Sequence, residues 1–466
     1  MDTSHARPPT IIARADHSVS RGDISGNALK VLYRLKDAGY RAFLVGGAVR
    51  DLLLGLHPKD FDVATDAEPE DVRRLFRNCR LIGRRFRLAH VFFGQETIEV
   101  ATFRASAVAD DVEGDLPDSD EPHSTPDIVA AEHHVVHESG RILRDNLYGT
   151  IDDDVWRRDF TANALYYNIE DFSIWDYVGG VADIRARMLR VVGDPATRFR
   201  EDPVRMLRAM RFAAKLGFAL APETAAPIAA MRELLAEVPA ARLFDETMKM
   251  FLKGAALPTW RLLERYQLQA MLFPATARFF AEHEGAAERR LLESGLASTD
   301  ARIAADKPVT PTFLFAVLLY GPIADAARRL EEKGTAETHA LVLACDQIVK
   351  SEQRSVSIPK RFTLPMRDML AMQPRFRRRE GRKALALLEN ARFRAAYDFL
   401  LLRCECGLED PEIGEWWTRI QTLPLEERQA LVDAGGAHAP RSTEPRRRRR
   451  RRRGGRKQPS GAHSGD

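Results

Sequence analysis

Two glycines and two aspartates set close together carry the first chemical signal. The run Leu44-Val-Gly-Gly-Ala-Val-Arg-Asp-Leu-Leu-Leu-Gly55 is followed within a few residues by Lys59-Asp-Phe-Asp-Val63. Glycines at Gly46 and Gly47 let backbone N–H groups come close to an anion, and a helix starting there favours negative charge at its N-terminus. Arg50, one turn further on, can add a charge-assisted contact to phosphate. Asp60 and Asp62 stand at i and i+2, so on a strand both carboxylates face one side, roughly 7 Å apart at Cα. Two hard oxygen ligands beside a phosphate cradle suit Mg²⁺, the ion that accompanies nucleoside triphosphates.

That chemistry needs elements to hold it. Apolar residues Ala28, Leu29, Leu32 and Leu35 recur at helical spacing within Ile24–Tyr40, and Gly39 is placed to end the helix. Arg41–Val45 reads as a buried strand, Ala48–Leu54 as a short helix and Asp60–Ala64 as a strand. Glu70–Phe76 reads as helix, and Ala89–Phe93 and Thr97–Phe103 as further strands. Together these make an α/β unit with a mixed sheet. From about Asp202 onward helical periodicity dominates, as in Pro203–Leu216, Arg242–Phe251 and Pro311–Leu319. Asp110–Pro122 holds seven acidic residues and no basic one, and reads as a solvated insertion.

The chain has 466 residues, 45% of them hydrophobic and 30% charged, which implies several packed units of a soluble type. Its four cysteines lack zinc-like spacing, the N-terminus lacks a signal-peptide core, and no segment approaches the ~20 apolar residues of a membrane span. A reduced cytoplasmic protein is expected. The formal charge of +4 hides an asymmetry. Arg441–Asp466 carries 11 basic and 2 acidic residues, a net of +9, which leaves 4 − 9 = −5 for residues 1–440. Eight consecutive arginines, Arg446–Arg453, suit sequence-independent contact with a polyanion.

Taken in tandem, Gly46–Gly55 and Lys59–Thr65 resemble the signature of the class II nucleotidyltransferases of the DNA polymerase beta-like superfamily. Arg157–Leu165 resembles that family's second motif. Arg200–Arg208, running on to Lys215, resembles its nucleotide-recognition helix. The stretches Cys79–Val91, Ile98–Arg104, Ser357–Phe362 and Arg392–Asp398 are most similar to the bacterial poly(A) polymerase branch, over about Ser18 to Arg403. The CCA-adding branch shares the three blocks but less of their flanks.

The resemblance implies roles. Asp60 and Asp62 would bind the catalytic Mg²⁺ or Mn²⁺. Gly46, Gly47 and Arg50 would hold the triphosphate of ATP. Asp159 matches a further essential carboxylate, with Glu99 as the other candidate. Arg158 would touch phosphate or sugar, Asp202 and Arg205 would present an edge to the base, and Arg208 would aid the triphosphate. The implied reaction is template-independent polyadenylation of RNA 3′ ends, serving RNA processing and decay, with RNA-decay proteins as partners. The alternatives are CCA addition to tRNA and a non-catalytic RNA-binding adaptor.

The implied layout is a lead-in (1–22), an α/β nucleotidyltransferase head (23–165) with an acidic insertion (105–138), and a neck (166–256). A helical body and RNA-binding region (257–435) and a disordered Arg-rich tail (436–466) follow. Plainer readings compete at several points. Asp202-Pro203 is a good helix start, Glu201–Arg205 an i,i+4 pair, and Arg205, Arg208 and Arg211 could form a solvated face. Asp159 could be a salt-bridge partner of Arg157 or Arg158. His133, His134 and His137 suggest a metal site only weakly, and Trp416-Trp417 suit a core.

Overall fold

The computed structural model describes residues 8–83, 87–104, 135–136, 142–144 and 148–435. The expected histidine group, nearly all of the acidic insertion and the arginine tail lie outside them.

In chain order the head is built from β1 (Thr10–Ile12), α1 (Gly26–Asp37), β2 (Ala42–Val45), α2 (Gly47–Leu53), β3 (Asp62–Thr65), α3 (Pro69–Leu75), β4 (Cys79–Ile82), β5 (Leu88–Phe93) and β6 (Glu96–Thr102). A separate ribbon pairs β7 (Val135–Val136) with β8 (Ile142–Arg144). Then come α4 (Ile151–Arg157), β9 (Leu165–Asn168), β10 (Ile174–Asp176), α5 (Gly180–Arg185) and β11 (Met188–Leu189). The neck follows with α6 (Pro195–Glu201), α7 (Val204–Leu216) and β12 (Ala219–Leu220).

Eight strands form one mixed sheet in the order β1-β10-β9-β2-β3-β6-β5-β4. The expected head boundaries therefore shift at both ends. Thr10–Ile12, expected in the lead-in, pairs with β10 as an edge strand, and the sheet runs past residue 165 to Asp176. A three-residue edge strand has no hydrophobic periodicity to reveal it.

Alternation along the strands sends side chains to two cores. Leu44 and Val63 join the main core with α1 and α2. Phe43, Val45 and Ala64 join a second core with Ile151 and Val155 of α4, Phe103 and Tyr166. Asp62 has the parity of Ala64, so its carboxylate lies on the α4 face. In α1, the Ser25 hydroxyl accepts from the N–H groups of Asn27 and Ala28, Ala28, Val31, Leu32 and Leu35 are buried, and Gly39 follows with φ 89°.

Past the neck the described chain is helical to Gly435. The expected helix Pro311–Leu319 runs on to Glu331 through an internal proline, Pro322. Pro322 has no N–H for the Leu318 carbonyl, and the Thr276 hydroxyl donates to it instead at 2.8 Å. Gly321 lets this helix press on Phe279, whose ring would stand 2.6 Å from a Cβ there. Trp417 is fully buried, as a core residue, and donates its indole N–H to the Phe376 carbonyl at 2.7 Å. Among the described residues no helix is long and apolar enough to cross a membrane.

Candidate active site

The site starts at the end of β2. Val45 pairs with Asp62 on one side and Tyr166 on the other, so the turn after β2, the start of β3 and the start of β9 meet at one sheet edge. Gly46 caps α2 with φ 69° and ψ −134°, a conformation that a side chain would strain, and its N–H donates to the Leu165 carbonyl at 3.3 Å. A Cβ placed on Gly46 would stand 3.5 Å from Arg158 Nη1 and 4.0 Å from Asp62 Oδ2. The turn is thus flanked by a guanidinium and a carboxylate. Gly47 opens α2, with the Arg50 guanidinium close beside it.

The Asp-x-Asp pair departs in detail from expectation. The β3 ladder begins at Asp62, so Asp60 lies before the strand. The alternation nevertheless persists: Asp60 and Asp62 are exposed, while Phe61 and Val63 are buried. Both carboxylates therefore lie on one side. Asp62 pairs in parallel register with Glu99 of β6, which pairs in turn with His90 of β5. Paired residues share a face, so Glu99 joins the aspartates, with His90 Nε2 3.8 Å from its carboxylate.

The two candidates for a further carboxylate stand in different settings. Asp159 is largely but not fully buried, with both oxygens engaged. Its Oδ2 accepts from Arg208 Nε at 2.9 Å and Nη2 at 2.6 Å, and its Oδ1 from Phe160 N at 2.8 Å and Asn163 Nδ2 at 3.2 Å. Burial pushes its pKa up, but Arg208 and the other donors outweigh this and hold it below the usual range. The expected Arg157 or Arg158 partnership belongs instead to Asp154.

The Asp154 network gave no strong signal in the chain. Burial raises the pKa of Asp154, yet Arg158, Arg157 and the Tyr166 hydroxyl lower it further, to about 2. Arg158 donates to Asp154 at 3.0 Å, to Tyr166 at 2.8 Å and to the Asn163 carbonyl at 3.3 Å. Its Nη1, the donor to Asn163, also lies against the glycine turn. The i,i+3 and i,i+4 spacing of Asp154 to Arg157 and Arg158 was the available clue. Asn163, which ties Arg50 to Asp159, had none.

Arg50 is 3% exposed. It donates to Asp51 at 2.7 Å and to Asn163 Oδ1 at 2.5 Å, and lies over the Phe212 ring. These bonds use three of its five N–H donors, one each from Nε, Nη1 and Nη2. In this arrangement it braces α2 from beneath.

Asp202 and Arg205 lie where α6 gives way to α7. Both are buried, and their side chains do not bond to each other. Asp202 Oδ2 accepts from Arg242 Nη2 at 2.8 Å and its Oδ1 from Val204 N at 3.1 Å. Arg205 donates to Glu201 at 3.2 Å and to the Arg198 carbonyl at 3.0 Å. Arg242 comes from a helix 40 residues away and had no local signal. Arg198 also donates to the Arg157 and Arg158 carbonyls, at 2.8 and 3.0 Å, and so ties α6 to the end of α4.

Among the described residues no three His, Cys, Asp or Glu groups converge as a closed metal cage. That is compatible with Mg²⁺, which takes one or two carboxylates and completes its shell with water and substrate phosphate. Exposed Asp60 and Asp62, beside an N–H-rich turn and Arg158, are a donor set that fits it.

A mixed sheet with a glycine turn and paired carboxylates at one edge, followed by a helical neck and body, defines a nucleotidyltransferase. Solved neighbours agree. The chain is similar to the Bacillus stearothermophilus CCA-adding enzyme in complex with CTP, with a TM-score of 0.55 and 26% identity over 86% of this chain and 82% of that one. Family models match as the poly A polymerase head domain (residues 42–190), the probable RNA and SrmB-binding site of polymerase A (217–280) and the polymerase A arginine-rich C-terminus (333–454). The chain is 47% identical to poly(A) polymerase I of Escherichia coli O157:H7 over 441 residues, 94% of this chain and 91% of that protein. It is 42% identical to poly(A) polymerase I of Haemophilus influenzae over 91% and 90% of the two chains. The CCA-adding enzyme of Bacillus pumilus is 34% identical over 58% of this chain and 57% of its own. The chain belongs to the poly(A) polymerase family.

Proposed function

We propose that this protein adds adenylates to RNA 3′ ends without a template, using ATP and releasing pyrophosphate. The carrying observation is the likeness to poly(A) polymerase I along nearly the whole of both chains, where the CCA-adding enzyme of Bacillus pumilus matches over 58% of this chain. The RNA 3′-oxygen forms a bond to the α-phosphorus of ATP, the bond to the β-phosphate oxygen breaks, and the hydroxyl loses its proton.

Asp60 and Asp62 would hold divalent metal, Mg²⁺ in the cell, which supplies charge neutralisation of the triphosphate and activation of the hydroxyl. The N–H groups at Gly46 and Gly47 and the Nη1 edge of Arg158 would orient the phosphates. Arg50 would keep α2 seated. Arg208 would fix Asp159 and with it the floor of the site. Asp202 and Arg205 would read the adenine edge, aligned by Arg242 and Glu201. Glu99 is favoured over Asp159 as the third metal-facing carboxylate, because register puts it beside Asp62 while Asp159 is engaged by Arg208. Cytoplasmic RNA processing and decay, with RNA-decay proteins as partners, is the proposed setting.

The test is the product made on an unstructured RNA primer with each nucleoside triphosphate in turn. Long adenylate tracts from ATP alone support the reading. Addition of two cytidylates and one adenylate to tRNA, followed by arrest, overturns it in favour of CCA addition.

A further inference from the structure

Nucleotidyl transfer fixes the side from which RNA arrives. The 3′-oxygen attacks roughly in line with the leaving pyrophosphate. The glycine turn Gly46–Gly47 follows β2, and β2 and β6 flank β3 on opposite sides. With Asp60 and Asp62 at the start of β3 between them, pyrophosphate leaves over β2 and the 3′-oxygen comes in over β6. The RNA behind it then crosses β5 and β4.

Register decides what the RNA meets there. Asp62 pairs with Glu99, Glu99 with His90 and His90 with Arg80, so one row of side chains on one face crosses four strands. At about 4.8 Å for each step, Arg80 lies about 14 Å from Asp62 at Cα. Phe92 shares that face, two residues past His90 and opposite Thr97. Its ring centroid is 6.3 Å from that of His90, and the Arg80 guanidinium lies over it at 5.8 Å.

Phe92 lies outside both cores of the head. Ala89 and Val91, on the opposite face of β5, are buried in the main core, and Phe93 packs against it. Among the described residues none from β4 or β5 joins the second core. Phe92 is half-buried, on the same face as exposed Arg80 and Ile82. Its backbone is fixed within β5, and its N–H donates to the Asn78 carbonyl at 3.0 Å. An aromatic ring with a guanidinium over it, on a firm sheet beside the reacting centre, suits the unpaired bases of single-stranded RNA.

We infer that Phe92, with His90 beside it, is a stacking platform for one of the last two bases of the RNA primer, and so helps to set the 3′-oxygen against the α-phosphate. The inference rests on the transfer reading of Asp60 and Asp62, which gives the RNA its direction. Stacking is tolerant of base identity, so the platform accepts any RNA 3′ end.

The experiment is a cycle of protein and RNA changes on the full chain, with Mg²⁺ and ATP present. The primers end in a 3′-deoxynucleotide, so binding is read without chemistry. One primer is intact, one lacks the last base and one lacks the base before it. Wild type should bind one of the two abasic primers about ten-fold more weakly than the intact one, the scale of a single base–aromatic stack. Phe92→Leu should weaken binding of the intact primer about as much, yet bind that abasic primer as wild type does. Phe92→Tyr, which keeps the ring, should match wild type throughout. Circular dichroism and Tm check folding. Equal losses by Phe92→Leu on all three primers mark a merely structural residue and overturn the proposal. Wild-type affinity of Phe92→Leu for all three also overturns it. Failure of the transfer reading appears separately, as no nucleotide addition to the same primers carrying a 3′-hydroxyl.

Discussion

Arg208 of α7 holds Asp159 through Nε and Nη2, at 2.9 and 2.6 Å, and so joins the neck helix to the floor of the head. Removing the guanidinium leaves a largely buried carboxylate without its main counter-charge. Arg208→Ala should cost about 3 kcal/mol in denaturant unfolding, near the lower end of the range for breaking a buried pair because Arg208 is partly exposed. Asp159→Asn should also destabilise. Full stability in both variants would remove the bracing role.

Asp60→Ala and Asp62→Ala should each lower nucleotide addition at least 10³-fold, about 4 kcal/mol of transition-state stabilisation, with Tm held and RNA binding retained. At matched stability Glu99→Gln should lose more rate than Asp159→Asn. A larger loss for Asp159→Asn would return the metal-facing role to Asp159.

Arg242 reaches Asp202 across 40 residues of chain. Arg242→Ala leaves Asp202 buried with Oδ2 unpaired, at a cost of about 1–3 kcal/mol. Because Asp202 opens the helix that carries Arg205, the KM for ATP should rise about ten-fold while kcat changes less. Arg205→Ala should lose both rate and the preference for ATP over CTP. Steady-state kinetics with both nucleotides decide the point, and unchanged selectivity in both variants rejects base reading by this pair.

Glu352 and Asp154 make opposite contributions to stability against pH. Burial is the main cause that lifts the Glu352 pKa, from 4.5 to about 7; its Oε1 accepts from Ala275 N at 2.8 Å while Oε2 is buried without a hydrogen-bond partner. Between pH 4.5 and 7 the folded state then binds more protons than the unfolded one, so stability falls as pH rises through that window, by about 3 kcal/mol at most. Glu352→Gln should flatten this slope and be the more stable protein at pH 8. Asp154, depressed from 3.8 to about 2, stabilises above pH 3.8 and loses that contribution as pH falls toward 2. Denaturation midpoints from pH 2 to 8 for wild type, Glu352→Gln and Asp154→Asn test both signs.

Truncation after Pro440 removes the Arg446–Arg453 block. The KM for RNA should rise and its salt dependence flatten, while the KM for ATP and the rate at saturating RNA hold. A salt series of primer-extension kinetics at matched primer concentration reads this. An unchanged RNA KM reduces the block to a solubilising appendage.

Local chemistry was open to reading from the chain alone. The glycine turn, the paired aspartates, the alternation at Phe61 and Val63, the helical second half and the family all rest on neighbours within a few residues or on period. Short-range sterics and hydrophobic spacing write such features directly into sequence. Tertiary structure decided what required distant chain to meet. The register of β3 with β6 put Glu99 beside Asp62. Folding gave Asp159 to Arg208, Asp202 to Arg242 and Arg158 to Asp154 and Tyr166. It also buried Arg50 and tied it to Asn163. An arginine's partner is set by which carboxylate packing leaves within reach of its guanidinium, and packing is a property of the whole fold.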